Sequence, residues 1–279
     1  MKKIRIIVTA ALVVILVGLI GRQLLSQELE VSFNHVSSSK IPRGTTIRIV
    51  ALSDLHNSQF GENNKELVSR IIDLRPDLIV MAGDMVNKND ADTSVVLSLC
   101  DQLKEIAPVY YGLGNHETIL MYTNGVRIDQ QLEELGIYVL NNTAVEAEIK
   151  GTKLLIGSVL TSAQGFEKEE FYTEFFQWYT GQDSFKLLIT HFADLYYDIL
   201  DDADFDLAVC GHFHGGQIQL PVVGGLYSPD YGLFPKYCNG QFQLEKGTIY
   251  VSRGLGDNTV IPRINNRPEL AVIDVNSRE

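Results

Sequence analysis

The chain has 279 residues, of which 45% are hydrophobic and 21% charged, and a net charge of −12. This length and composition suit one large folded domain with its own core, and nothing reads as low-complexity or as an internal repeat. The acidic balance and the lack of a Lys/Arg stripe exclude an electrostatic footprint for nucleic acid. They also require that any phosphate-bearing substrate meet a local reversal of sign, which bound cations supply.

Lys2, Lys3 and Arg5 precede an uncharged run at 6–21, and Arg22 follows it. A membrane-crossing helix needs about 20 apolar residues. The run is short, but Ile4, Leu24 and Leu25 extend it, and Arg5 and Arg22 can snorkel. With no A-x-A site near 20–28, segment 1–25 reads as an uncleaved single-pass anchor in the cell membrane, ahead of a cleaved signal segment or a buried helix. The basic cluster before the run places the folded domain on the extracytoplasmic side.

Residues 26–45 are polar, with Ser37, Ser38, Ser39, Pro42 and Gly44. They read as a linker holding one edge strand at 31–36, and the main domain spans 46–279. Strands and helices then alternate: strand 46–53, helix 63–74 ending before Pro76, strand 78–82, helix 93–106 capped by Asp92 or Thr93, strand 108–113, and helix 126–135 ending at Gly136. Strands at 137–140, 144–149 and 153–158 follow. After them come helix 168–179, strand 186–190, helix 193–200, and strands 205–210, 248–252 and 270–275. This pattern implies sheets with helices packed outside. Cys100, Cys210 and Cys238 form no C-x-x-C pair and cannot close a disulfide framework, and Cys210 reads as a small buried hydrophobe.

In open α/β sheets, ligands bind beyond the carboxyl ends of strands. The polar residues collect there. Asp54-Leu55-His56 ends the first strand, Gly83-Asp84 the second and Gly114-Asn115-His116-Glu117 the third. His191 ends a later strand, and Gly211-His212-Phe213-His214 another. His35 alone among the histidines stands outside these motifs. Side chains at i and i+2 of an extended segment point the same way, so Asp54 and His56 are expected to reach one ion together, and His212 and His214 to share a site. The glycines before Asp84, Asn115 and His212 permit close backbone approach. Imidazoles, carboxylates and an amide oxygen with no thiolate suit Mn, Fe, Co, Zn or Ni. Seven such ligands exceed one tetrahedral ion and suit two.

The order D-x-H, G-D, G-N-H-E, H, G-H-x-H resembles the calcineurin-like metallophosphoesterase superfamily across nearly all of 48–275. The stretches GHFHGGQIQLP at 211–221 and YVSRGLG at 250–256 are further similar to a bacterial subgroup, the membrane-associated phosphoesterases of the YkuE/YaeI type. The resemblance implies a four-layer α/β/β/α sandwich of two mixed sheets, here with an N-terminal transmembrane helix. It implies two divalent ions (Mn, Fe, Zn or Co), with Asp54, His56 and His214 on one, Asn115, His191 and His212 on the other, and Asp84 bridging. His116 would sit over the phosphate and protonate the leaving oxygen while a hydroxide between the ions attacks phosphorus. Many members carry Asp where this chain has Asn87. Asn87 could orient His116 by a hydrogen bond but not stabilise imidazolium as a carboxylate would. Glu117 is either a supporting partner or part of a turn.

The expected function is hydrolysis of a phosphomonoester, diester or pyrophosphate, with a phosphate ester, lipid-linked in one reading, as the partner. Two alternatives stand beside it: a lipid-pyrophosphate hydrolase at the bilayer, and a non-catalytic metal-binding scaffold. Arg253, Arg263 and Arg267 are candidates for phosphate contacts, with Arg253 singled out for substrate binding, against a reading as solvated loop charges. Tyr227, Tyr231, Phe234 and Tyr237 would either wall an apolar substrate or pack a long loop.

Overall fold

The computed structural model describes residues 28–159, 174–193, 203–228, 231–257, 259 and 261–278, with isolated helical positions between 2 and 21. The domain opens with β1 (Glu30–Ser38) and β2 (Thr46–Leu52), followed by α1 (Lys65–Leu74), β3 (Leu78–Ala82), α2 (Ser94–Leu103), β4 (Val109–Gly112), α3 (Asn115–Asn124), α4 (Ile128–Glu134) and β5 (Tyr138–Leu140). Next come β6 (Thr143–Ile149), β7 (Thr152–Ser158), α5 (Glu174–Thr180), β8 (Phe185–Phe192) and β9 (Leu207–Gly211). Two short ribbons pair β10 (Gln219–Leu220) with β11 (Gly224–Gly225) and β12 (Tyr227–Ser228) with β13 (Gly232–Leu233). The chain closes with β14 (Gly240–Gln243), β15 (Thr248–Val251) and β16 (Glu269–Ser277).

The longer described strands form two mixed six-stranded sheets, in the orders β1-β16-β2-β3-β4-β5 and β14-β15-β9-β8-β7-β6. Each has a parallel centre. β2, β3, β4 and β5 run together in the first, and β15, β9, β8 and β7 in the second. Parallel strands covered on both faces read as unbroken apolar runs. Accordingly, every residue of β3 (LIVMA) and of β8 (FKLLITHF) is buried.

Period-two alternation divides β2 between two cores. Val50 and Leu52 face the helices, packing with Leu67 and Ile71 of α1, Val96, Leu99 and Leu103 of α2, and Leu132 of α4. Ile47, Ile49 and Ala51 face the second sheet, against Leu154, Ile156, Leu187, Ile189 and Val209. On the far side of that sheet, Phe176 and Tyr179 of α5 pack with Leu155, Leu188, Ala208 and Cys210. Each fully buried Leu, Ile or Phe in these layers contributes about 1.5–3 kcal/mol relative to exposure. The three cysteines are free and buried, as read for Cys210.

Among the described residues no helix is long and apolar enough to cross a membrane. The span expected at 1–25 falls mostly outside those residues. So do the beginning of the helix expected at 168–179 and nearly all of that expected at 193–200. The edge strand read at 31–36 occupies Glu30–Ser38 and pairs in parallel with β16 along its whole length. Thr93 occupies the N-cap of α2 without a side-chain cap bond, and Asp92 before it accepts the Ser94 N–H on its Oδ1 at 2.9 Å. Helix α3, the ribbons β10–β13 and the edge strand β14 had no counterpart in the sequence reading.

Candidate metal centre

The residues of interest gather where β2, β3, β4, β8 and β9 end. Three groups converge, with ligand atoms within 4.8 Å of one another in each: Asp54, His56 and His214; His56, Asp84 and His116; and Asp84, His191 and His212. In the first, His56 Nε2 and His214 Nε2 lie 3.2 Å apart, and His214 Nε2 is 3.7 Å from Asp54 Oδ1. In the last, His191 Nε2 is 3.1 Å from Asp84 Oδ2 and 3.2 Å from His212 Nδ1. His56 is common to the first two groups and Asp84 to the last two, so the three form one connected cluster. The buried Asn115 Oδ1 has no hydrogen-bond partner.

The local backbone differs from the extended geometry expected for Asp54/His56 and His212/His214. Asp54 (φ 52°), His56 (φ 48°), Asp84 (φ 53°), His212 (φ 76°) and His214 (φ 47°) all occupy the left-handed region. The turns send His212 toward His191 and Asp84, and His214 toward His56 and Asp54. The shared site expected of His212 and His214 from i and i+2 spacing is thus split between two groups.

Such turns require backbone to pass close to the carboxylates. A Cβ on Gly114 would collide with Asp84 Oδ1 and stand 2.5 Å from the Asp84 nitrogen, and one on Gly211 would stand 2.5 Å from Asp54 Oδ2. The carboxylates are oriented by main-chain donors. His116 N–H bonds Asp84 Oδ1 at 2.8 Å, and His212 N–H bonds Asp54 Oδ1 at 3.0 Å.

Glu117 resolves as a supporting group. It is fully buried, and its carboxylate accepts the N–H groups of Asp84 (2.9 Å), Met85 (2.7 Å) and Gly114 (2.8 Å) and the hydroxyl of Tyr111 (2.7 Å). It ties the Gly83-Asp84 turn to the start of α3. Burial, and then the nearby Asp84, push its carboxyl above the usual range.

The charges are set by burial and by one another. Burial followed by His214 lowers His56 to about 3. Burial, then Arg263, holds His214 well below its ordinary value. Burial works against charge on His191, but Asp84 and the hydrogen bond between them raise it to about 10. Although burial opposes ionisation, His191 holds the Asp84 carboxyl far below its ordinary range. His191 Nδ1 bonds the Ala82 carbonyl at 2.8 Å, which puts a proton on Nδ1 and turns an Nε2 lone pair toward Asp84. A lone pair facing a carboxylate at 3.1 Å needs a cation between them, either a proton or a metal ion. The donor set therefore fits metal.

His116 lies within the same cluster. Its ring meets that of His56 edge-on at 4.5 Å, and its Nε2 is 3.9 Å from Asp84 Oδ2. Its Nδ1 accepts the Lys88 N–H at 3.1 Å. Arg253 is held by Glu269 (3.1 Å) and Glu30 (3.2 Å). Arg263, 3% exposed, reaches the cluster, with a guanidinium nitrogen 3.3 Å from His214 Nδ1. Sequence reasoning missed Asn266, which donates to the carbonyls of His214 and Gln217 and fixes the turn after the last histidine. Its setting in a polar loop gave no signal.

Residues 47–216 match the family described as calcineurin-like phosphoesterase. Among similar proteins, the metallophosphoesterase YkuE of Bacillus subtilis is 29% identical over 272 residues, covering 92% of this chain and 89% of its own. YkoQ of the same organism is 27% identical over 247 residues, 86% of this chain and 89% of its own. The phosphodiesterase YaeI of Escherichia coli is 29% identical over 241 residues, 82% of each chain.

Proposed function

Because the chain belongs to the calcineurin-like phosphoesterase family, and is a metal-dependent phosphoesterase, we propose that its centre holds two divalent ions and hydrolyses phosphodiesters. Asp54, His56 and His214 would hold one ion, and Asn115, His191 and His212 the other, with Asp84 shared. The observation that carries this reading is the convergence of Asp54, His56 and His214 and of Asp84, His191 and His212 into two groups linked through His56, Asp84 and His116. Mn, Fe, Zn or Co suits these donors. When bound, the ions supply charge stabilisation for the phosphoryl oxygens and a water acidified toward neutral pH.

The chain's own residues position and protonate. Because His116 Nδ1 accepts the Lys88 N–H, the ring proton of the neutral form sits on Nε2, the atom that would face the leaving oxygen. Burial holds His116 below its ordinary pKa. An anionic phosphate beside it would raise the pKa again, so the donor becomes charged with substrate in place. The preference for a diester follows from charge. A diester monoanion is repelled less by a chain of net charge −12 than a monoester dianion is. YaeI is itself named a phosphodiesterase. Segment 1–25 would anchor the domain in the cell membrane. Its described positions Val8, Leu12, Val13, Val14 and Val17 are all more than half exposed, without cover from the domain.

The test is metal content and turnover measured together. The full chain, loaded with Mn²⁺, Zn²⁺, Fe²⁺ or Co²⁺, is assayed on bis-p-nitrophenyl phosphate and p-nitrophenyl phosphate, with His212→Ala as control. Two ions per chain and faster diester cleavage, both lost in the control, are expected. A single ion, or ions without any cleavage, would sink the proposal.

A further inference from the structure

The anchored end of the domain and the metal centre lie on the same edge of the fold. Glu30, the first residue of β1, pairs with Glu269, the first of β16. Glu269 N–H bonds the Gly254 carbonyl, and Leu255 N–H bonds the carbonyl of Ser53, next to Asp54. The Glu30 carboxylate meets Arg253 at 3.2 Å, and a Cβ on Gly215, next to His214, would stand 2.9 Å from Arg253 Cγ. The chain thus enters the domain at the metal end of the sheets. Five residue steps from Leu25 to Glu30 span at most about 18 Å.

A strap of four short strands, β10–β13, lies over that end. It is seated on the metal motif: the Gly225 Cα stands 2.6 Å from where a Cβ of Gly216 would be. Leu226 N–H bonds the Ile218 carbonyl, and Phe234 N–H bonds that of Leu226. The strap holds apolar side chains out to solvent: Val222 at 108% exposure, Val223 at 59%, Leu233 at 67% and Phe234 at 54%. A turn tip in water ordinarily carries Gly, Asn or Asp. This one reads Pro221-Val222-Val223, with Val222 at φ 71°, a region that β-branched residues avoid.

We propose that the 221–223 tip, with Leu233 and Phe234, inserts into the interfacial layer of the bilayer that holds segment 1–25, so that the metal centre faces the membrane and takes phosphoesters presented at its surface. The proposal rests on the anchor reading given above. Apolar burial and the tether must hold this face down, because a net charge of −12 is repelled by anionic lipid.

The test places an environment-sensitive NBD dye on the full chain through Val223→Cys, Leu233→Cys or, as control, Arg43→Cys. Arg43 sits in the β1–β2 turn at the opposite end of the sheets, and the native cysteines are buried. The labelled proteins are reconstituted into phosphatidylcholine/phosphatidylglycerol vesicles carrying nitroxide lipids. Flotation reports the anchor, turnover of bis-p-nitrophenyl phosphate reports an intact centre, and quenching reports the strap. Dye at 223 and 233 should be quenched at least about twofold, with little change at 43. A floating, active protein with unquenched dye at 223 overturns the docking and leaves the anchor standing. Dye at 223 shielded from aqueous iodide yet unquenched by lipid would mean that a second copy covers the strap, which also overturns it. A chain that does not float removes the anchor and the docking together, whatever its turnover.

Discussion

Asp54, His56, Asp84, His212 and His214 hold backbone conformations that L residues avoid, at roughly 1–3 kcal/mol each. The surrounding glycines and main-chain hydrogen bonds enforce them, so the ligands are aimed before any ion arrives. Glu117 is central to that enforcement. Glu117→Gln presents an amide to several N–H donors that a carboxylate satisfied together. We expect about 10–100-fold weaker metal binding by titration, with the ligands unchanged in identity. Unaltered affinity would make Glu117 a packing residue only. His116 has a different role, and His116→Ala should leave metal content intact. Turnover should fall by about 10²–10⁴ on esters with poor leaving groups and much less on p-nitrophenyl esters. Loss of an ion in that variant would instead make His116 a ligand.

At the scale of elements, the strands of both sheets other than β14 were legible because short apolar runs bounded by Gly, Pro and polar residues leave few alternatives. The ligand residues were legible for the same reason, since they follow those runs directly. Helix α3 was not. Its sequence NHETILMYTN starts with the motif itself and lacks a single apolar stripe. The available signal was Glu117 three residues after Gly114, where it accepts the Gly114 N–H as a capping glutamate does. Extended i and i+2 geometry also misled, because the carboxyl ends of β2 and β9 leave the sheet in left-handed turns. The left-handed turn at Asp84, after β3, makes Gly114 irreplaceable in the same way. Gly114→Ala drives a methyl into the Asp84 carboxylate and backbone. The expected result is a folded protein by circular dichroism with neither ion retained, and full metal content in that variant would contradict the geometry.

Over the whole molecule, the metal-free protein should show a stability maximum set by its buried histidines. His56 is held near 3, below its ordinary 6.5, so the unfolded chain takes up the proton first. Its contribution is complete above about pH 6.5 and disappears as pH falls toward 3. His191 acts in the opposite sense. Raised to about 10, it contributes fully below about 6.5 and loses that contribution as pH climbs to 10. Urea midpoints of the chelated protein should therefore peak near pH 6.5, and His191→Gln should flatten the alkaline side. A profile that is flat from pH 6.5 to 10 in the unsubstituted chain would refute this assignment.

One feature of the first sheet bears on how the chain is made. β16, the last strand, lies between β1 and β2, the first two. All nine of its residues pair with β1 on one side, and Ala271–Asn276 pair with β2 on the other. A ribosome delivers those residues long after β1, so β1 has no neighbour in this sheet until Glu269–Ser277 has been made. Pairings of such long sequence separation also form late and slowly. The first sheet therefore closes only once β16 has been made, and β1 and β2 stay unjoined until then.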